Sequence, residues 1–205
     1  MPKGSEELTA TRKEEIINAC ERLYQTMSFK EITLKEIGNE TSFTRTSIYN
    51  YFQTKEEIFL ALFEREYMRW NEALKSILEE NRKLGKTKLA KALAESIADR
   101  PQLLKLLSMN NFDMEENSRP ELLVSFKLAY GESLENMRKI LRKFCPDMTA
   151  KEIKNFMYIF FPFMFGIYPY TSVTDKQKEA MQQADVDFVY QSVYEITNNC
   201  LLKLL

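Results

Sequence analysis

The segment FTRTSIYNYF, Phe43 to Phe52, decides how this sequence is read. Within two helical turns it places Thr44, Arg45, Thr46, Ser47, Tyr49, Asn50 and Tyr51, and leaves Ile48 and Phe52, four residues apart, as an inward face. With that face inside, Arg45, Thr46 and Tyr49 fall outside, and Asn50 and Tyr51 lie at the edges. An outward polar start of this kind suits a helix that enters the DNA major groove. The Arg45 guanidinium matches guanine in a bidentate contact, and Thr46 or Asn50 matches a thymine methyl group or an adenine edge. The hydroxyls of Thr44, Ser47, Tyr49 and Tyr51, with the ammonium of Lys55, suit phosphate oxygens, which set register and carry little sequence information.

Working outward, helix starts are marked by Thr-x-x-Glu, in which the hydroxyl caps a backbone N–H and the carboxylate reaches back to the cap. Thr11 with Glu14, Thr33 with Glu36, Thr54 with Glu57 and Thr149 with Glu152 carry the signal, and Thr174 with Gln177 is of the related kind. The first helix shows Ile16, Ala19, Cys20, Leu23, Tyr24 and Met27 on one face. A second, about two turns long, runs from Thr33 to roughly Glu40 with Leu34 and Ile37 inward. The turn Thr41-Ser42-Phe43 leads to a third, Thr44 to Tyr51. One long and two short helices around a tight turn form the layout of a helix-turn-helix module. A plain helical hairpin shares that layout, so the residues of the third helix decide between them.

Composition narrows the class. The 205 residues include only five glycines and six prolines, and their Leu-, Glu-, Lys- and Met-rich segments lack sustained alternation, so the expectation is an all-α protein. Cys20, Cys145 and Cys200 are odd in number and far apart, which argues against a disulfide framework and for a reducing, cytoplasmic location. The amino terminus has no apolar stretch of signal-peptide type. With no histidine, imidazole bases, triads and the commonest metal ligand are absent, and the isolated Gly4, Gly38, Gly85, Gly131 and Gly166 build no phosphate-cradling loop. The chain reads as a binder, with no enzyme activity, cofactor or metal expected. Its first sixty residues hold eight bases and ten acids, net −2, so a DNA-binding face must concentrate Lys35, Arg45 and Lys55 and gain from dimerisation.

Residues 9–58 resemble the DNA-binding domain of the tetracycline-repressor (TetR) family of transcriptional regulators. Arg12, Ile16, Ala19, Leu23, Phe29, Thr33, Leu34, Ile37, Ser47, Ile48, Tyr49, Tyr51, Phe52, Lys55 and Glu56 stand where the family has the same or similar residues. The resemblance implies that Tyr49 touches phosphate, that Lys55 lies on the backbone at the carboxyl-terminal edge, and that the helix start reads bases. Met27-Ser28 stands where a glycine often ends the first helix, and Thr46 replaces a common glycine.

Beyond Thr54, apolar positions from Ile58 to Leu78 keep helical spacing through about Asn81, roughly 40 Å at 1.5 Å per residue. This divides the chain into a DNA-binding domain, 1–53, and a helical ligand-sensing and dimerisation domain, 54–205, whose residues 54–81 form a connecting helix. NRKLGKTK, Asn81 to Lys88, reads as a turn, and Pro101 opens a short helix. FDMEENSRP, Phe112 to Pro120, reads as a loop, and a long helix follows from about Glu121 to Phe144. The apolar run FMYIFFPFMFGIYPY, Phe156 to Tyr170, is short for a membrane span and contains Pro162, Gly166 and Pro169, so no membrane is expected. It has two stripes, one with Ile153, Met157, Phe160, Met164 and Ile167, the other with Tyr158, Phe161, Phe165 and Tyr168. The last helix also has two, with Val186, Val189, Val193, Ile196 and Cys200 on one and Tyr190, Tyr194 and Leu201 on the other.

Two such helices from each of two subunits make a four-helix interface, an arrangement the resemblance also implies, with Tyr158, Phe161, Phe165, Tyr168, Tyr190, Tyr194 and Leu201 as candidate interface residues. Met109, Phe112, Phe126, Tyr130, Phe156 and Phe160 are candidates for an apolar or aromatic small-molecule effector, although each taken singly reads more readily as ordinary core. Cys145 beside Pro146 reads as a structural or incidental thiol. The expectation is a homodimeric, ligand-responsive repressor of a palindromic operator. The acidic balance keeps a second class open, a helical protein–protein adaptor that does not bind DNA.

Overall fold

The structure, a computed structural model, describes residues 3–109 and 111–205, with side chains except at 3–5, 45 and 111. Among the described residues there are eleven helices and no strand: α1 Lys3–Thr26, α2 Leu34–Asn39, α3 Arg45–Ile48, α4 Lys55–Glu80, α5 Lys86–Ala98, α6 Pro101–Leu107, α7 Asn111–Glu116, α8 Pro120–Phe144, α9 Ala150–Thr171, α10 Asp175–Gln183 and α11 Val193–Leu204. The all-α architecture agrees with the reading of the sequence. Two compact units are formed, one from residues 1–65 with 110–129, the other from 66–109 with 130–205.

In the first unit, α1 buries Ile16, Ala19, Cys20 and Tyr24 along one face, and Tyr24 and Phe29 both set ring edges against Phe59 of α4, at 5.1 and 4.8 Å. Helix α1 begins well before Thr11, whose hydroxyl donates to the Glu7 carbonyl at 3.0 Å. A mid-helix threonine can bond back to the preceding turn, and here that replaces the expected cap. Thr33 does cap α2, accepting from the N–H groups of Lys35 and Glu36. Helix α3 is shorter than expected. Its regular part ends at Ile48, and Asn50 and Tyr51 close a turn by donating to the carbonyls of Ser47 and Ile48.

Residues 112–120 are a second departure, since most of the expected loop is α7. NFDMEE holds no glycine or proline, Asp113 favours the helix start, and the breakers come only at Ser118 to Pro120. The exposed carbonyls of its last turn accept from Asn117 Nδ2 at 2.7 Å, to Asp113, and from Ser118 Oγ at 2.7 Å, to Met114.

The second unit is built around Trp70, fully buried on α4, whose indole N–H donates to Ser96 Oγ at 3.2 Å and whose ring lies 5.8 Å from Phe161. Helix α11 packs on α5 and α9, and α6 packs on α9. Capping boxes at Thr149/Glu152 and Thr174/Gln177 open α9 and α10 as expected. A third, Ser192/Glu195, starts α11 at Val193. Val186, Val189 and Tyr190 therefore precede the last helix and do not lie on it, because the serine version of the cap signal sets a later start. Helix α9 continues through Pro162 and Pro169. Among the described residues no single helix is long and apolar enough to cross a membrane. Helix α9 buries Phe156, Phe160, Phe161, Met164 and Ile167 inside its own unit.

Candidate nucleic-acid interface

The turn before α3 is tied to α1. Glu15 accepts from the Ser42 N–H at 2.5 Å, Arg12 donates to Ser42 Oγ at 2.9 Å, and the Arg12 guanidinium lies 4.9 Å from the Phe43 ring centre. The Ser42 bonds hold the Glu15 carboxyl below the usual carboxylate range, so it stays ionised. Thr41 bridges the carbonyls of Gly38 and Phe43. From this fixed turn α3 leaves with Ile48 and Phe52 buried, as its spacing predicts.

On the opposite side Thr44, Thr46, Tyr49 and Asn50 are exposed, and so is Lys35 on α2. Ser47 is half-buried, with its hydroxyl 3.2 Å from that of Thr44. Tyr51 is also half-buried, its ring 6.2 Å from that of Phe43. The Arg45 side chain, the expected guanine reader, lies outside the described residues. No acid occurs between Thr41 and Lys55. Four of the ten acids behind the module's negative balance pair with arginines: Glu14 and Glu21 with Arg65 at 3.2 and 2.7 Å, Glu40 with Arg22 at 3.6 Å, and Glu57 with Arg119 at 2.7 Å. The α3 segment thus brings no carboxylate of its own toward a phosphate backbone despite the module's net charge.

Lys55, expected at the phosphate backbone, has partners within the module. Its ammonium donates to the carbonyls of Phe29 and Ile32, at 2.9 and 3.3 Å, and lies 4.0 Å over the Phe29 ring. A cation at the first residue of a helix opposes the helix dipole. The carbonyls of the α1–α2 connection offset that cost, so the geometry makes Lys55 a tie within the module.

The Thr54/Glu57 pair is half of a capping box. Thr54 Oγ1 accepts from the Glu57 N–H at 3.1 Å, but the Glu57 carboxylate, 1% exposed, turns to Gln53 N at 2.7 Å and to Arg119. Sequence reasoning missed Arg119, because 62 residues separate the partners and no local pattern marks them.

In the second unit the expected interface stripes divide. Tyr158, 72% exposed, and Phe165, 42% exposed, face outward on α9 with Ile159, and Tyr168 and Tyr194 are half-buried. Phe161 and Leu201 are core instead: Phe161 fills the space between Trp70, Tyr130 and Phe160, and Leu201 is fully buried in α11. Tyr190 is exposed in the segment before α11 and stacks edge-on with Phe188, 5.0 Å away.

The six effector candidates are divided between the two units. Phe112 is 84% exposed and, like Phe126, belongs to the first unit, where Phe126 packs 4.9 Å from Phe63. Met109, Tyr130, Phe156 and Phe160 belong to the second. There Tyr130, half-buried, packs on Tyr67 at 5.5 Å, and buried Phe160 packs on Phe156 at 5.5 Å. Several clefts open in the second unit. One, of about 360 Å³, is lined by Pro169, Tyr170, Val173, Met181 and Phe188 among others. Another, of about 680 Å³, includes Lys86, Cys145, Phe156 and Lys203. Burial pushes the Cys145 thiol above its ordinary range, in line with a structural role.

Comparison with known proteins agrees with this geometry. Residues 16–62 match the family described as bacterial regulatory proteins, tetR family, and residues 64–190 match the tetracyclin repressor-like C-terminal domain. An uncharacterised HTH-type transcriptional regulator of Bacillus subtilis, YfiR, is 32% identical over 63 residues, a match spanning 31% of each chain. Among solved structures, PfmR of Thermus thermophilus, a TetR family regulator, superposes with a TM-score of 0.62 at 12% identity over 93% of this chain and 96% of its own. FadR of B. subtilis, solved with stearoyl-CoA, superposes with a TM-score of 0.59 at 14% identity over the same shares. These likenesses show the fold. With the two family matches together spanning residues 16–62 and 64–190, the chain belongs to the tetR family of bacterial DNA-binding transcriptional regulators.

Proposed function

We propose that the chain is a homodimeric, effector-responsive repressor that works in the cytoplasm and binds a palindromic operator through α3. The observation that carries this reading is the α3 face itself. Thr44, Thr46, Tyr49 and Asn50 stand exposed over a buried Ile48/Phe52 anchor, on a stretch without acids. Thr46 and Asn50 are the base readers in this reading, with Arg45 beside them, and Thr44 and Tyr49 grip phosphate. Ser47 and Tyr51 are half-buried and contribute at the edge.

A homodimer is supported by the outward apolar row Tyr158, Ile159 and Phe165 on α9 and by Leu202 on α11, which leave an uncovered patch for a second copy. Twofold symmetry then presents two α3 faces to half-sites about one helical turn, or a multiple of it, apart. An apolar or aromatic effector is supported by the apolar lining of the α9–α10 cleft, and stearoyl-CoA in the B. subtilis FadR structure suggests a long acyl chain as the first class to try.

The test is selection of bound duplexes from a random pool by the purified protein, followed by titration of the winner against salt. The expected result is an inverted repeat whose affinity falls steeply with salt. No enrichment even at low salt would refute the reading and favour the protein–protein adaptor.

A further inference from the structure

Arg119 lies in the stretch that matches the C-terminal family domain, yet its side chain closes on the turn by which α3 ends. Its Nε donates to Glu57 Oε1 at 2.7 Å, its Nη2 to Glu57 Oε2 at 3.0 Å, and its backbone N–H to Oε1 at 3.2 Å. The same Nη2 donates to the Tyr51 carbonyl at 3.0 Å, and Glu57 Oε2 also takes the Gln53 N–H at 2.7 Å. Beside it, Thr54 Oγ1 donates to the Asn117 carbonyl at 3.0 Å. One arginine thus holds a buried carboxylate with both arms of its fork, while carboxylate and guanidinium together hold the residues on either side of Phe52.

This grip matters because α3 has little else to set its direction. It is a single helical turn, and the Thr44 side chain makes no cap bond to its backbone. Its start is fixed by the Ser42 contacts, and its end by Ile48 and Phe52 in the core and by whatever holds 51–53. A rotation of a few degrees at that end moves Thr46, Tyr49 and Asn50 relative to base edges, where hydrogen bonds tolerate only small displacements.

We propose that Arg119 is a positioning residue for operator binding, fixing the exit of α3 by holding Glu57 and the Tyr51 carbonyl at once. The proposal rests on the reading that α3 binds DNA. It places a determinant of operator affinity in the junction between α7 and α8, outside the helix-turn-helix sequence. Arg119 is the side chain of that junction that bonds both to Glu57 and to the Tyr51 carbonyl at the end of α3. An ammonium has the charge of a guanidinium but not its planar fork, so lysine cannot reproduce the grip.

The experiment compares wild type, Arg119→Ala and Arg119→Lys, using the selected duplex and an unrelated duplex, below the melting temperature of every variant. Amide hydrogen exchange is followed at residues 49–54 in the same proteins. The expected result is operator binding weaker by about tenfold or more in both variants, binding to the unrelated duplex nearly unchanged, and faster exchange at Asn50 to Gln53. Arg119→Lys recovers most of the melting temperature but not the operator affinity, a separation that a merely structural role would not produce. Unchanged operator affinity in folded Arg119→Ala, or losses that follow only the unfolded fraction, would overturn the proposal. If wild type itself selected no duplex, the operator reading would fail, while the exchange measurement would still decide whether Arg119 fixes the turn.

Discussion

Replacing Lys55 by methionine keeps the side-chain stem and removes only the ammonium, so it separates a tie within the module from a phosphate contact. The wild-type ammonium donates to the carbonyls of Phe29 and Ile32 and sits over the Phe29 ring. Hydrogen bonds from a charged donor are worth about 1.5–3 kcal/mol each when buried. Lys55 is half-buried and water can reach the vacated carbonyls, which lowers the figure to about 1 kcal/mol apiece. The cation–π contact adds about 0.5 kcal/mol at such a site. The expected loss is therefore about 2–3 kcal/mol, or roughly 5–10 °C in melting temperature for a chain of this size, read by circular dichroism in thermal and urea melts. In operator titrations on the folded variant, the slope of log K against log salt should match wild type, because each lost phosphate contact changes it by about 0.9 and none is lost here. An unchanged melting temperature with a slope reduced by about one unit would refute the reasoning and return Lys55 to the DNA backbone.

Thr46→Ala and Asn50→Ala should each relax discrimination at one operator position by about 1–3 kcal/mol, in competition between the selected duplex and its single-base variants. Both side chains are exposed, so stability should change by less than about 0.5 kcal/mol; equal discrimination would remove them from the reading face. At Glu57, burial raises the carboxyl pKa, but the Arg119 bonds and the N–H groups of Gln53 and Arg119 outweigh it and hold the group below the usual carboxylate range. A lowered folded pKa contributes stability above the unfolded value that is lost as pH falls through the folded one. Wild type should therefore lose more stability than Glu57→Gln below about pH 5, and parallel urea-melt profiles would count against this account. Phe165→Arg, at an exposed position on α9, should halve the particle mass in sedimentation equilibrium, and an intact dimer would move the interface off that row.

What could be read from the chain was what short-range physics encodes. The Ile48/Phe52 spacing, the caps at Thr33, Thr149 and Thr174 and the long apolar period of α4 each act within a few residues, and each stands where expected. Where a local signal misled, another local bond had taken its place. Thr11 bonds back to Glu7 inside α1, α7 forms where breakers were read too early, and the Ser192 cap moves the start of the last helix.

The sequence by itself determined the helical class, the helix-turn-helix and the polar face of α3, because 3.6-residue periodicity and capping chemistry are properties of neighbouring residues. Only the tertiary structure decided that the Lys55 ammonium turns to the Phe29 and Ile32 carbonyls, that Phe161 and Leu201 are core while Tyr158 and Phe165 face outward, and that Glu57 meets Arg119. Those outcomes depend on which groups from distant parts of the chain meet at a buried charge or an apolar surface in the folded state, and local spacing carries no record of that.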